Sequence, residues 1–98
     1  MDVRFVDSDL DRLETDARFT AGKSPALVKA FRKRMQLIRA AKDERDLRAQ
    51  KSWRFEKLEG ARSHQYSIRL NDQFRLIVEI EGSSSDRTIV VVSIEDYH

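Results

Sequence analysis

The sequence contains no cysteine, only three glycines and a single proline, and it has no long hydrophobic run. The absence of cysteine excludes a disulfide framework and a thiolate metal site, and it fits a protein of the reducing cytosol. With three glycines there is no glycine-rich loop of the type that binds phosphate groups. No apolar segment approaches the roughly 20 residues that span a bilayer, so we expect a cytoplasmic protein that does not contact a membrane.

Motifs for metal and nucleophilic catalysis are missing as well. The two histidines, His64 and His98, do not have the spacing of paired metal ligands, and no Gly-x-Ser-x-Gly motif is present to expose a serine nucleophile. We therefore expect no metal and no cofactor. The remaining chemistry is general acid–base catalysis beside fixed positive charge. This chemistry can cleave RNA by using the 2′-hydroxyl of the RNA itself as the nucleophile. A base removes the hydroxyl proton, cations stabilise the phosphate, and an acid protonates the leaving 5′-oxygen.

Charged residues make up 37% of the chain, and they are unevenly distributed. Residues 1–22 contain three basic and six acidic side chains, residues 23–62 contain thirteen and five, and residues 63–98 contain three and six. The net charges of these segments are therefore −3, +8 and −3, which give the overall value of +2. A concentrated basic segment suits a nucleic-acid surface, although a solvated helix face that carries Lys and Arg would give the same count.

The hydrophobic pattern predicts one α+β domain over residues 1–98, with helices packed on one face of an antiparallel sheet in the order β-α-α-(α)-β-β-β-β. The strongest helix signal is Ser24-Pro25, an N-cap followed by proline at the first helical position. The apolar residues that follow at helical spacing are Leu27, Phe31, Met35 and Ile38. The other predicted elements are a strand at 1–6, a helix from Asp7 or Ser8 to Gly22, a short helix at 44–50 capped by Asp43, and a strand at 54–58.

Two alternating segments predict a β-hairpin over residues 66–80. A three-residue loop at 71–73 is the connection that keeps one face of this hairpin apolar. It also places Arg69 opposite Arg75, and like charges at paired positions destabilise a sheet by roughly 0.2–1 kcal/mol. Either both side chains extend into water, or the pair binds a polyanion. The apolar pairs in this register are Leu70 with Phe74, Ile68 with Leu76, and Tyr66 with Val78.

Residues 82–86 predict a flexible hairpin loop, and a last strand is predicted from Arg87 to Glu95. Its continuous apolar run, Ile89 to Val92, is typical of a strand that is covered on both faces. The chain then finishes with Asp96-Tyr97-His98, three side chains that can transfer protons or form hydrogen bonds.

Three segments resemble the HigB-type branch of the RelE/ParE toxin superfamily: FEKLEGAR at 55–62, QYSIRLNDQFR at 65–75 and EDYH at 95–98. The resemblance is specific from about Trp53 to His98, and the first fifty residues match mainly in layout. It implies a compact RelE-like fold, ribosome-dependent cleavage of mRNA without a metal, and neutralisation by a helix-turn-helix antitoxin of the HigA type. The expected partners are therefore this antitoxin and mRNA on the ribosome, with contacts to 16S ribosomal RNA.

The resemblance also implies a set of catalytic residues. Arg62 would lie near the scissile phosphate, and Arg75 falls on the arginine of the family's Asp-Gln-aromatic-Arg motif. Some relatives carry a catalytic histidine at the position of Glu56, so the identity of the general base is open between Glu56 and Asp96.

The last two residues, Tyr97 and His98, fall on the terminal pair of the family's motif. Negative charge from Asp96 and the terminal carboxylate favours the protonated form of His98. A protonated histidine suits a general acid or a phosphate ligand, and Tyr97 is expected to stack or to form a hydrogen bond.

Four further basic residues are expected to contact the RNA backbone: Lys51, Arg54, Lys57 and Arg69. The exposed basic side of the helix at 25–41 is expected to join them. Two other functions stay open. A ParE-like toxin shares the fold and poisons DNA gyrase, and a non-catalytic RNA- or protein-binding module would use the same basic surface.

Overall fold

The secondary structure follows the predicted order within residues 1–83 and 86–96, which the computed structural model describes. The helices are α1 (Ser8–Thr15), α2 (Pro25–Ala40) and α3 (Glu44–Ala49). The strands are β1 (Asp2–Phe5), β2 (Glu56–Lys57), β3 (Gln65–Arg69), β4 (Phe74–Ser83) and β5 (Asp86–Asp96). Two short 3-10 turns cover Lys51–Trp53 and Gly60–Arg62. Among these helices, none has the length and hydropathy needed to cross a bilayer.

The five strands form one sheet in the order β1-β5-β4-β3-β2. Neighbouring strands from β2 to β5 are antiparallel, as predicted, whereas β1 runs parallel to β5. Because all three helices lie between β1 and the hairpins in the chain, no short turn dictates the direction of β1. The α+β class is confirmed, with one parallel pair at the edge. The apolar strand β5 lies inside the sheet between β1 and β4, as its sequence predicted.

The β3–β4 hairpin has the register that its apolar pattern predicted. Ile68 pairs with Leu76, and Arg69 pairs with Arg75. The turn is fixed by Asn71, whose Oδ1 accepts the backbone N–H groups of Gln73 at 2.9 Å and Phe74 at 2.8 Å. A side chain that bonds backbone groups two and three residues ahead favours a turn over a continued strand.

The core lies between the helices and one face of the sheet. The predicted apolar face of α2 supplies Phe31, Met35 and Ile38, each with no exposed surface. From the sheet, Ile68 and Leu76 face the same cluster and are also fully buried. Since side chains alternate along a strand, the residues directly next to Ile68 and Leu76 in each strand point to the opposite side. We call that side, which faces away from the helices, the outer face.

Helix α2 begins where the sequence predicted, because Ser24 is its N-cap and Pro25 stands in its first turn. The hydroxyl of Ser24 accepts the Leu27 N–H at 3.2 Å. Ser24→Ala is expected to lower the free energy of unfolding by about 1 kcal/mol, which corresponds to a fall in Tm of about 4–8 °C. Thermal unfolding followed by circular dichroism measures this effect. The exposed Ser52 is the matched control, and an equal loss in Ser52→Ala would contradict a capping role.

Helix α1 ends at Thr15 and not at the predicted Gly22. The reason is a contact that lies far away in the sequence. The guanidinium of Arg32 on α2 donates to the carbonyl oxygens of Leu13, Asp16 and Phe19 at 2.9–3.0 Å. It therefore satisfies carbonyl groups at the end of α1 and holds the following segment against α2.

Two predicted boundaries in the second half of the chain are also wrong. The strand predicted at 54–58 is reduced to Glu56–Lys57, because Arg54 adopts a left-handed conformation with φ of 47°. The loop predicted at 82–86 is shorter, since β4 continues to Ser83 and β5 begins at Asp86. Residues 84 and 85 of this loop lie outside the described residues.

Candidate active site

The outer face of the sheet carries a cleft that contains three arginines and one carboxylate. Its volume is about 290 Å³. We call it the arginine cleft, and the residues that line it are Arg54, Glu56, Ser67, Arg69 and Arg75. Four of the predicted site residues are therefore brought together there.

Three backbone features build the arginine cleft. Glu56 pairs with Ser67 in the β2–β3 ladder, which places the carboxylate on the outer face. The Leu58 N–H donates to the Gln65 carbonyl at 2.9 Å and closes this ladder. Arg54 precedes β2 in a left-handed conformation that redirects the chain at the edge of the sheet. A short strand, a ladder pair and one unusual backbone angle thus collect side chains that the sequence keeps apart.

Arg69 and Arg75 each lie close to a carboxylate of the same chain. Arg69 forms an ion pair with Asp72 in the turn and donates to the Asn71 carbonyl at 3.3 Å. The Arg75 guanidinium lies 3.8 Å from the Glu95 carboxylate. The side chains of Arg69 and Arg75 keep 34% and 28% of their surface exposed. These carboxylates offset the like-charge repulsion, and the guanidinium groups stay accessible from solvent.

Arg62 lies on the same outer face, bound to a residue that the sequence did not single out. Its two terminal nitrogens donate to the two carboxylate oxygens of Glu95 at 3.0 and 2.7 Å. Its Nε donates to the Gln65 side-chain oxygen at 3.0 Å. The hydrogen bonds from Arg62 hold the pKa of Glu95 below its ordinary value against the opposing effect of partial burial, and Ser93 and Arg75 add to the lowering. Glu95 therefore joins Arg62 to Arg75.

A second residue that sequence reasoning missed is Arg34 on α2. Its Nε donates to the Arg69 carbonyl at 3.1 Å, and its guanidinium stands over the Trp53 ring at 5.1 Å. Burial, and then the charge of Arg69, lowers the pKa of Arg34. Arg34 directly precedes the buried Met35, and this position beside the apolar stripe of α2 was the sequence signal that it lies at the edge of the core. It ties the end of β3 to the helix layer.

Aromatic contacts fix the edge strand that carries Glu56. Phe55 stacks on Tyr66 of β3 with ring centroids 5.0 Å apart. The guanidinium of Arg48 also lies over the Phe55 ring, 5.1 Å from its centre. A two-residue strand has little ladder energy of its own, so these contacts stabilise its position.

The basic side of α2 is used largely for contacts inside the chain. Arg32 caps α1. Arg39 donates two hydrogen bonds, each of 2.7 Å, to the carboxylate of Glu14. Lys29 and Lys33 are exposed. Arg39 also keeps 48% of its side chain exposed while it is paired with Glu14, whereas Arg32 is turned into the chain.

The remaining predicted site residues lie outside the arginine cleft. Lys51 and Lys57 are exposed, and neither lines the cleft in the part of the chain that the structure describes. Asp96 ends β5 opposite Phe74 and accepts a hydrogen bond from Gln73 at 2.8 Å. Alternation along β5 turns Asp96 away from the outer face that Glu95 occupies. Tyr97 and His98 lie outside the described residues.

Comparisons with known proteins agree with this architecture. A structure described as "YoeB/ParE toxin from Agrobacterium tumefaciens" is similar over 100% of both chains, with a TM-score of 0.61 and 21% sequence identity. At this identity the likeness shows the fold. Among curated proteins no sequence matches the chain.

The sequence of the chain identifies its family more specifically than the fold does. The model of one family, described as "RelE-like toxin of type II toxin-antitoxin system HigB", matches residues 3–98. The match covers nearly all of the chain, including the cleft residues and the Arg62–Glu95 pair. The chain therefore belongs to the HigB-type, RelE-like toxins of type II toxin–antitoxin systems.

Proposed function

We propose that this toxin is a metal-independent endoribonuclease that cleaves mRNA on the ribosome through the RNA 2′-hydroxyl and so inhibits translation. The observation that carries this proposal is the arginine cleft, in which Glu56 stands among Arg54, Arg69 and Arg75. A carboxylate among cations can accept a proton while the cations stabilise the negative charge that develops on phosphate.

The dimensions of the arginine cleft suit a phosphodiester. Its volume of about 290 Å³ is just below that of typical ligand pockets, which span roughly 300–1,000 Å³. Arg69 and Arg75 face each other across the β3–β4 ladder, so they can bond different oxygens of one phosphate. The third arginine, Arg54, approaches from the sheet edge. In this arrangement the cleft holds the scissile phosphate and leaves the bases to other surfaces.

Glu56 is our proposed general base, in preference to Asp96. Glu56 lines the arginine cleft, whereas Asp96 is turned to the other side of β5 and bonds Gln73. His98 and Tyr97 keep the roles that the family resemblance suggested, general acid or phosphate ligand for His98 and a stacking or hydrogen-bonding role for Tyr97. Arg62 is proposed to reach the phosphate from the neighbouring part of the outer face.

The expected partners follow from the same proposal. A type II toxin has a cognate antitoxin, and we propose a helix-turn-helix protein of the HigA type for this role. We further propose that the toxin acts in the cytoplasm, on ribosome-bound mRNA, with contacts to 16S ribosomal RNA. The mRNA cleavage and the antitoxin are tested together by mapping transcript ends after brief expression, with and without the candidate antitoxin from the neighbouring reading frame.

The same experiment discriminates the two other functions. A ParE-like gyrase poison would stop replication first and leave transcripts intact, and the name of the similar structure includes ParE. A non-catalytic binding module would retain ribosome binding and produce no new transcript ends. New ends inside coding regions that disappear with the antitoxin support the endoribonuclease. A carboxylate in a cationic cleft favours that function, since binding alone would gain nothing from Glu56.

Two basic residues, Arg54 in the arginine cleft and the exposed Lys51, give a test of RNA binding. The double substitution Lys51→Gln and Arg54→Gln is expected to weaken ribosome binding and to flatten its salt dependence, because each lost phosphate contact removes about 0.7 from the slope for single-stranded RNA. Binding measured between low and moderate salt gives the slope. The matched control is Arg18→Gln with Lys42→Gln, which removes equal charge elsewhere. Equal slopes in the two variants would contradict a role for Lys51 and Arg54.

A further inference from the structure

The strongest feature that the proposed function does not use is the carboxylate of Glu95. It receives two hydrogen bonds from Arg62, at 3.0 and 2.7 Å, and one from the Ser93 hydroxyl at 3.2 Å. A terminal nitrogen of Arg75 lies 3.8 Å away. Two arginines from different elements, a 3-10 turn and β4, thus converge on one anion of β5.

We infer that Glu95 is an internal counter-anion, which occupies the position of a phosphate group on the outer face and competes with it for Arg62 and Arg75. This inference deepens the proposed function and rests on it for the identity of the natural anion, the RNA phosphate. A carboxylate and a phosphate both accept the paired N–H groups of a guanidinium in a fork. The geometry that binds Glu95 is therefore also the geometry that binds phosphate.

A β-bulge brings Glu95 to this position. From Val78, which pairs with Val91, to Ser83, which pairs with Asp86, β4 and β5 follow one register, and if that register continued back along β4, Arg75 would face Ile94. The register shifts between Ile77 and Val78, so Arg75 pairs with Glu95. The shift also changes which residues of β5 point outward, because side chains alternate along a strand. Bulges frequently redirect side chains beside functional sites in this manner.

The competition follows from charge and access. A phosphate bound by Arg62 and Arg75 would lie against the ionised Glu95 carboxylate, and like charges at this distance repel. The side chains of Arg62 and Glu95 keep 42% and 32% of their surface exposed, so solvent and anions reach the pair. Binding of phosphate thus requires Arg62 to exchange one anion for another. Without a bound phosphate, Glu95 fixes the position of the Arg62 side chain. Its negative charge also reduces the affinity of Arg62 and Arg75 for other anions.

Removal of this one charge gives a direct test. Glu95→Gln keeps the shape of the side chain and removes its charge. Its matched control is Glu81→Gln, because Glu81 also forms an ion pair with an arginine of the outer face, Arg4, at 2.6 Å. The probe is pyrophosphate, which needs no ribosome and no cleavage. We expect Glu95→Gln to bind pyrophosphate about three- to tenfold more tightly than wild type, and Glu81→Gln to bind within twofold of wild type.

The same substitution in an Arg62→Ala variant tests whether Arg62 is the arginine for which Glu95 and phosphate compete. In Arg62→Ala, the gain from Glu95→Gln is expected to fall to less than half, since the main partner of the carboxylate is missing. The inference is overturned if Glu95→Gln binds pyrophosphate no more tightly than Glu81→Gln, or if more than half of the gain persists in Arg62→Ala. Transcript mapping with wild type separates the two proposals. Cleavage without the affinity gain leaves the endoribonuclease intact and removes the counter-anion, and the affinity gain without cleavage does the reverse.

Discussion

Glu56→Gln is expected to lower the single-turnover rate of mRNA cleavage on programmed ribosomes by about 10²–10⁴-fold, the range that general acid–base groups typically contribute. The amide has the same shape as the carboxylate and does not accept a proton from the RNA 2′-hydroxyl. Three arginines line the same cleft, so they remain to bind the phosphate. Removal of a negative charge beside that phosphate favours binding, and the loss is therefore expected in the rate at saturating toxin and not in the affinity.

The matched control for this prediction is Glu59→Gln, an exposed carboxylate three residues further along the chain that does not line the described cleft. It is expected to cleave within a few-fold of wild type. Both variants are expected to unfold at the Tm of wild type, because both side chains are exposed. If Glu56→Gln also cleaves within a few-fold of wild type, Glu56 is not the base, and Asp96→Asn becomes the variant to measure next.

The features that the sequence predicted correctly are those decided by local pattern. The β3–β4 register follows from the apolar residues of two adjacent strands, and a three-residue turn closed by Asn71 leaves no other pairing that keeps one face apolar. The start of α2 follows from Ser24 and Pro25, whose effects act within one helical turn. In both cases the residues that decide the structure are within a few positions of it.

The features that were mispredicted depend on contacts between distant parts of the chain. Arg32 looked like a surface cation on a helix, and three carbonyl groups of the α1 segment determine its actual role. The length of β2 depends on the left-handed conformation of Arg54, which no local preference indicated. A charge count over residues 23–62 therefore overstates the basic side chains that could contact RNA under the proposed function.

Glu95 shows why part of the candidate site could not be read from the sequence. Alternation along β5 was visible, but the bulge that turns Glu95 outward was not, because the apolar run Ile89–Val92 fits both registers. Without the bulge, Glu95 would face the core side with Ile94 outward. With the bulge, β5 presents a carboxylate to Arg62 and Arg75. A shift of one residue in the ladder thus decides whether a carboxylate lies between Arg62 and Arg75.

Phe31→Ala is expected to lower the free energy of unfolding by about 3–5 kcal/mol. Phe31 has no exposed surface and lies in the cluster that joins α2 to the sheet. The substitution removes a whole aromatic ring and leaves a cavity that neighbouring side chains fill only in part. Domains of this size are typically stable by about 5–15 kcal/mol, so the loss is a large share of the total. Because α2 also carries Arg34, which bonds the Arg69 carbonyl, unfolding of this region also disrupts the arginine cleft.

Leu37→Ala is the matched control on the same helix, since Leu37 is 40% exposed and lies outside the buried cluster. It is expected to change stability by less than about 1 kcal/mol. Guanidinium unfolding measures both variants, and Phe31→Ala should shift the midpoint with little change in slope, as a loss of stability does. The toxicity of Phe31→Ala should then fall in proportion to the amount of folded protein, whereas Glu56→Gln is expected to lose toxicity at full abundance. If Phe31→Ala unfolds at the same denaturant concentration as Leu37→Ala, the cluster around Phe31 does not stabilise the fold.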